Sequence, residues 1–246
     1  MNDLMKTWFN DRQRAHVEIL RDLLIEIFKR RPQNLVFKGG TAISFFHGGD
    51  RFSEDIDLSS SGRDDYATID DALESFEDSY NYVITNSWED EIYQKQGFRR
   101  YPLTFRYGVY DNINTSIDYS IGRCLLVPDM HDLSNGHSTA KISVMKEEEI
   151  IAEKVRAIYS RQKGRDLYDL YYLCVTRKVR ISRSMIAEKL AEDSSLNGIK
   201  YSFVQFEKRV AALEQYWGDL RGIVNGFESL RFNDISDRVL NAFKNI

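Results

Sequence analysis

Two stretches of the chain carry residues whose types and spacing suit phosphate chemistry. Lys38-Gly39-Gly40-Thr41-Ala42 follows a short β-forming run, and Arg51-Phe52-Ser53-Glu54-Asp55-Ile56-Asp57-Leu58 comes soon after. Adjacent glycines let a backbone approach a ligand closely. A helix starting at Thr41 would aim its unpaired N–H groups at the same spot, which suits a phosphate. Thr41 could cap that helix or bind phosphate through its hydroxyl. In Asp55-Ile56-Asp57, strand alternation puts both carboxylates on one face, and Ser53 and Arg51 join them if the strand extends back. Two carboxylates about 4 Å apart repel by roughly 4 kcal/mol at an effective dielectric near 20. A divalent cation removes that penalty. Oxygen ligands select Mg²⁺ or Mn²⁺, which keep waters and bind triphosphates. Asp118 is the best third acid. It lies in Thr115-Ser-Ile-Asp-Tyr-Ser-Ile121, where Ile117, Tyr119 and Ile121 alternate with Ser116, Asp118 and Ser120. It would complete a two-metal site for in-line displacement, or act as general base on an attacking hydroxyl.

A second constellation is basic. Ile151, Val155 and Ile158 form an apolar helical stripe, and Lys154 lies beside it at helical spacing. A lysine there either snorkels along the core edge or delivers a cation to a triphosphate. Burying it unpaired would be costly. Arg161 falls on the same face seven residues on. Then comes Gly164-Arg165-Asp166-Leu167-Tyr168-Asp169-Leu170-Tyr171. Leu167, Leu170, Tyr171 and Cys174 keep the i, i+3, i+4, i+7 spacing of a core stripe. Asp166 and Asp169 share an adjacent face. Favouring the helix dipole explains them as well as catalysis does. The four histidines show no metal-ligand spacing, and a surface loop is the expected place of His47. Tyr101, Phe105 and Tyr107 share one strand face, which reads as core.

The elements that must position these residues can be read from periodicity. A long helix is expected over 4–30, ended by Arg31-Pro32. A buried strand follows at 34–37, a helix from Thr41 to Phe46, a second strand at 55–59 and an acidic helix at 65–79. Strands are expected at 82–85, 101–109, 115–121 and 141–144. After Lys146 the pattern is helical, with candidates at 147–161, 166–177, 183–192, 202–217 and 234–244. The expected organisation is α+β. A mixed sheet flanked by helices occupies residues 1–145 with the opening helix, and a helical module occupies 146–246.

The 246 residues, 42% hydrophobic and 13% aromatic, allow a substantial core. The net charge of −4 excludes a globally basic nucleic-acid binder. The charge is uneven, however. Residues 1–140 hold 15 basic and 23 acidic residues, whereas 151–185 hold nine basic and three acidic. That asymmetry suggests an anionic partner for the second half. The two separated cysteines fit a reducing cytoplasm. No signal peptide is evident, and no run reaches the roughly 20 apolar residues of a membrane span. Ligand patterns for zinc and a P-loop are missing.

The string Phe37-Lys-Gly-Gly-Thr-Ala-Ile-Ser, with Arg51-x-Ser53-x-Asp55-Ile-Asp57-Leu58, resembles the AbiEii/MenT-like nucleotidyltransferases of the DNA polymerase β-like superfamily. The resemblance covers roughly 35–175. It also takes in Glu148, Lys154 six residues later, and Arg165-Asp166-x-x-Asp169-Leu170 after a basic linker. It implies a nucleotidyltransferase-type fold and transfer of a nucleoside monophosphate from an NTP to an acceptor. By that resemblance Asp55, Asp57 and Asp118 hold Mg²⁺ (or Mn²⁺), while Gly39, Gly40, Thr41 and Ser53 cradle the triphosphate. Lys154 binds nucleotide phosphate, and Asp166 or Asp169 holds Lys154 or the substrate. Arg161 and Arg165 contact phosphate or acceptor. The implied biology is the toxin of a toxin–antitoxin or abortive-infection system, with tRNA 3′ ends as acceptor and an antitoxin encoded nearby. The alternatives are transfer to a protein or small molecule, or a nucleotide-binding module without turnover.

Overall fold

The computed structural model describes residues 4–61, 65–95, 97–196, 198–244 and 246. The chain forms two compact units, residues 1–145 and 146–246. The architecture is the mixed α/β one expected from the sequence.

In the first unit, α1 runs Asp11–Phe28, not from residue 4. The Asn10 side chain accepts from Gln13 N at 2.9 Å, and the Gln13 side chain accepts from Asn10 N at 3.1 Å. This capping box fixes the start. After β1 (Val36–Lys38) comes α2 (Gly39–Phe46), two residues earlier than expected. The glycines are therefore the first turn of the helix and not a loop before it. Strand β2 is Ile56–Ser60, so Asp55 lies just ahead of it. Helices α3 (Asp65–Glu74) and α4 (Phe76–Ser79) replace the single acidic helix. They part at Ser75, whose hydroxyl accepts from Arg30 at 2.6 Å and donates to Glu26 at 2.9 Å.

The strands continue with β3 (Val83–Ile84), β4 (Tyr93–Lys95), β5 (Phe98–Tyr107), β6 (Tyr110–Ile121), β7 (Asp129–Ser134) and β8 (Thr139–Val144). Strands β4 and β7 were not expected. Both are largely exposed edge segments, so neither carries the apolar alternation that reveals a half-buried strand. The sheet order is β3-β5-β6-β2-β1-β8-β7, with β4 also paired to β5. Its β2–β6 and β1–β8 pairs are parallel and the others antiparallel. Alternation buries Ile56, Leu58, Ile117, Tyr119, Tyr101 and Phe105 on one face. Tyr66 of α3 packs on Tyr119 and Phe76 of α4 on Phe105. The other face carries the polar residues of the site.

The second unit holds α5 (Glu147–Ser160), α6 (Gly164–Leu170), α7 (Arg183–Glu192), α8 (Phe203–Ala211) and α9 (Phe232–Phe243). Helix α6 passes into a π turn over Tyr171–Thr176 where continuous α-helix was expected. The helix expected over 202–217 stops at Ala211, and a 3₁₀ segment follows at Glu214–Leu220. Gly164 lets α6 approach that segment, because a Cβ there would lie 2.6 Å from the Tyr216 carbonyl oxygen. One side of α5 is fixed by buried ions. Lys189 of α7 meets Glu149 at 2.9 Å and Glu153 at 3.1 Å, while Arg156 meets Glu153 at 2.7 Å and Asp193 at 2.9 Å. No helix among the described residues is long and apolar enough to cross a membrane.

Candidate active site

The register of the sheet assembles a charged row across four strands. Lys38 of β1 pairs with Asp57 of β2, Asp57 with Asp118 of β6, and Asp118 with Arg100 of β5. Direct register partners project to the same face, so the two aspartates sit side by side, about one strand spacing of 4.8 Å apart at the backbone. Gly39 closes on this row. It has φ +78°, and a Cβ on it would fall 2.0 Å from Asp57 Oδ2. Gly40 closes on the neighbouring segment, where a Cβ would lie 2.0 Å from Arg51 Nη2 and 2.9 Å from Ser53 Oγ. Lys38 stands at the cap position of α2 without a side-chain hydrogen bond to its first turn. The start of α2 thus lies on the Asp57–Ser53 side, and the N–H groups of a helix start suit an anion.

Asp55 reaches the group from outside the strand. Its Oδ1 accepts from Ser116 N at 3.1 Å and from Ser116 Oγ at 2.9 Å, and the same hydroxyl lies 3.2 Å from Asp118 Oδ1. One serine of β6 thus gathers Asp55 and Asp118. The backbone leading into β2 is pinned as well. The Glu54 carbonyl accepts from Thr115 Oγ1 at 2.6 Å and faces His16 Nε2 at 3.0 Å. The Thr41 hydroxyl donates to the Asp55 carbonyl. Thr41 is fully buried. Its hydroxyl fixes the backbone of Asp55 instead of capping α2. His16 is buried too, and desolvation lowers its pKa to about 4 although the Glu54 carbonyl and Asp55 act against it. His47 is buried, not on a surface loop, with Nε2 3.0 Å from the Met145 carbonyl.

Arg100 grips Asp118 with two hydrogen bonds, Nε to Oδ1 at 2.6 Å and Nη2 to Oδ2 at 2.5 Å. The bonds to Asp118 raise its pKa, with Asp55 and Asp57 adding their fields against burial. Its guanidinium therefore answers to all three acids. Among the described residues no three His, Cys, Asp or Glu side chains stand ready to enclose a metal ion. Asp118 is turned toward Arg100. The donors are nonetheless all oxygens and share one face, which fits a hard divalent ion.

In the second unit, Lys154 is buried and doubly paired. Its Nζ lies 3.1 Å from Asp166 Oδ1 and 2.6 Å from Asp169 Oδ2. Arg161 adds two bonds to Asp166, at 2.9 and 3.0 Å. Burial would raise the Asp166 pKa, but the Lys154 and Arg161 charges prevail and hold it below the usual carboxylate range. The sequence left open which aspartate meets Lys154; both do. Arg165 is half-buried and joins no ion pair among the described residues. Arg100, Ser116, Thr115 and His16 were not singled out as site residues. No local pattern marks them, since their positions follow from strand register and helix packing.

Solved structures share this fold. A protein described as a nucleotidyltransferase of H. pylori matches with a TM-score of 0.65 at 17% identity, over 96% of this chain and 95% of that one. JHP933 of Helicobacter pylori matches with a TM-score of 0.64 at 16% identity, over 96% and 92%. MenT4, a nucleotidyltransferase toxin of Mycobacterium tuberculosis, matches with a TM-score of 0.64 at 17% identity, over 96% and 86%. No curated protein sequence matches the chain. The fold is the one these nucleotidyltransferase structures share. The chain belongs to the AbiEii family, the nucleotidyl transferase toxins of type IV toxin–antitoxin systems, whose sequence model matches residues 22–238. The match runs well beyond 35–175, so the helices after 175 are part of the family pattern and not a generic tail. Membership makes an NTP the substrate class and an antitoxin the expected partner.

Proposed function

We propose that this toxin transfers a nucleoside monophosphate from an NTP to the 3′ end of tRNA in a Mg²⁺-dependent reaction, releasing pyrophosphate. The observation that carries the reading is the packing of Gly39 against Asp57 beside its register partner Asp118. It sets an anion-binding helix start against a cluster of carboxylates. In this reading the amides of Gly39 and Gly40 and the Ser53 hydroxyl hold the phosphates, and Thr41 fixes the backbone of Asp55. Asp55 and Asp57 would hold the metal. Bound there, the ion supplies charge neutralisation to the triphosphate. Asp118 joins them as ligand or serves as general base on the acceptor hydroxyl once Arg100 releases it. Lys154 is assigned to nucleotide phosphate, oriented by Asp166 and Asp169, with Arg161 and Arg165 as further phosphate or acceptor contacts. The setting would be cytoplasmic, with an antitoxin encoded nearby.

The test is incubation of wild type and Asp57→Ala with each labelled NTP, Mg²⁺ and total tRNA. Label should enter tRNA with the wild type alone, and the variant should retain its thermal melt. A toxic wild type that transfers label from no NTP defeats the reading. Label in protein or a small molecule, with tRNA untouched, would redirect the acceptor.

A further inference from the structure

Beyond Arg100 the charged row continues onto an exposed surface that the transfer reading leaves without a role. Strand β4 pairs with the start of β5, Tyr93 opposite Arg100 and Lys95 opposite Phe98. Phe98 in turn pairs with Ser120 of β6, next but one to Asp118. Register places Tyr93, Lys95, Phe98 and Arg100 on the face that carries Asp118 and Asp57. The side chains meet there. The Tyr93 and Phe98 rings are 6.3 Å apart, Lys95 Nζ lies 5.5 Å and Arg100 Cζ 5.8 Å from the Phe98 centroid. Tyr93 is 56% exposed, unusual for a large ring in a sheet. Aromatic rings between cations at the margin of an acidic unit match the stacking-and-phosphate chemistry by which unpaired nucleic acid is held.

The order of strands says which substrate this surface faces. An in-line displacement puts the attacking and leaving oxygens on opposite sides of the transferred phosphorus. Gly39 and Gly40 lie at the β1 end of the row, and β5 is three strand spacings away, roughly 14 Å. If pyrophosphate departs toward the glycines, the attacking hydroxyl arrives from the Arg100 side. We infer that Tyr93 and Phe98, with Lys95 and Arg100, form the docking platform for the single-stranded end of an RNA acceptor. The terminal bases stack on the rings and the backbone phosphates meet the cations. This inference rests on the transfer reading for the position of the triphosphate.

Its test needs no turnover. Full-length protein is titrated, without NTP or divalent metal, into fluorescently labelled single-stranded RNA of mixed sequence. Anisotropy is followed for wild type, Tyr93→Ala, Phe98→Ala and Tyr93→Trp. Each alanine variant should weaken RNA binding on the order of tenfold, and Tyr93→Trp should bind as the wild type does. NTP affinity by calorimetry should stay within about twofold in all of them. Because Tyr93 is exposed, its variant tests the platform even if Phe98→Ala fails to fold. Unchanged RNA affinity in Tyr93→Ala would overturn the inference. So would a wild type that binds no RNA, or a loss of NTP affinity in place of RNA affinity. The transfer reading fails separately, through the Asp57→Ala label assay, and Asp57→Ala should still bind RNA.

Discussion

At Gly39 a single methyl group would compete with a carboxylate oxygen for the same space. A Cβ at this position would sit 2.0 Å from Asp57 Oδ2, and φ is +78°. Gly39→Ala therefore combines a backbone strain of about 1–3 kcal/mol with displacement of Asp57. Urea unfolding should show a loss of that order, and nucleotidyl transfer should vanish. Gly40→Ala is the control. It has no positive φ and meets mainly the Arg51 guanidinium, so a larger part of the strain can relax through a long side chain. Equal stability and activity for Gly39→Ala and wild type would show that the close packing against Asp57 does not matter. The glycine pair was legible in sequence as a place of close approach, but the approaching group was not. The expected visitor was a ligand, and the structure adds Asp57 itself. The Asp57–Asp118 adjacency was legible only as alternation on two separate strands. Their pairing, and the arrival of Arg100 beside Asp118, depend on long-range register, which no local pattern encodes.

Among the elements, α5 and α6 are joined by charge at the position where the sequence was most ambiguous. Helical spacing placed Lys154 at the border of the core stripe and left its partner open. The structure buries it between Asp166 and Asp169. Removing one member of a buried pair leaves the other charge uncompensated, at a cost of about 3–5 kcal/mol. Lys154→Met should accordingly lower stability by that order, because Asp169 loses its 2.6 Å partner. Lost activity in this variant alone would not distinguish structure from chemistry. Lys154→Met combined with Asp169→Asn separates them. The double variant should regain most of the stability, since Asp166 keeps Arg161, yet remain inactive in growth-arrest and transfer assays. Recovery of activity in the double variant would make Lys154 a structural residue only. The π turn after Leu170 was invisible beforehand. Leu167, Leu170, Tyr171 and Cys174 satisfy an α-helical stripe, and the switch to longer hydrogen bonds at Tyr171–Thr176 depends on tertiary packing.

For the whole molecule, composition disclosed the uneven charge but not its use. The basic excess of 151–185 pointed to an anionic partner. Four of its nine cations, Lys154, Arg156, Arg161 and Arg177, also pair with carboxylates of their own unit, so the formal excess overstates the free positive charge. The acidic first unit has a different sensitivity, to protonation. His16 is buried and its pKa falls from 6.5 to about 4, chiefly by desolvation. Folded His16 stays neutral over a pH range where the unfolded chain takes up a proton, so between those values stability rises with pH. The contribution is complete above about 6.5 and is lost as pH falls toward 4, with an upper bound of roughly 3 kcal/mol. The depressed carboxylate Asp166 acts in the same sense but only at lower pH, beneath its ordinary value of 3.8. The window from 6.5 to 5 lies above that carboxylate range, and a His16→Gln comparison assigns the part that belongs to His16. His16 Nε2 faces the Glu54 carbonyl that precedes Asp55, a bond the protonated ring would keep, so the acid sensitivity comes from burying the charge and not from losing that contact. Urea midpoints from pH 7.5 to 5 should fall steeply for wild type and remain nearly flat for His16→Gln, which can still donate to Glu54 but cannot titrate. Parallel curves for the two proteins would remove His16 as the source of acid sensitivity.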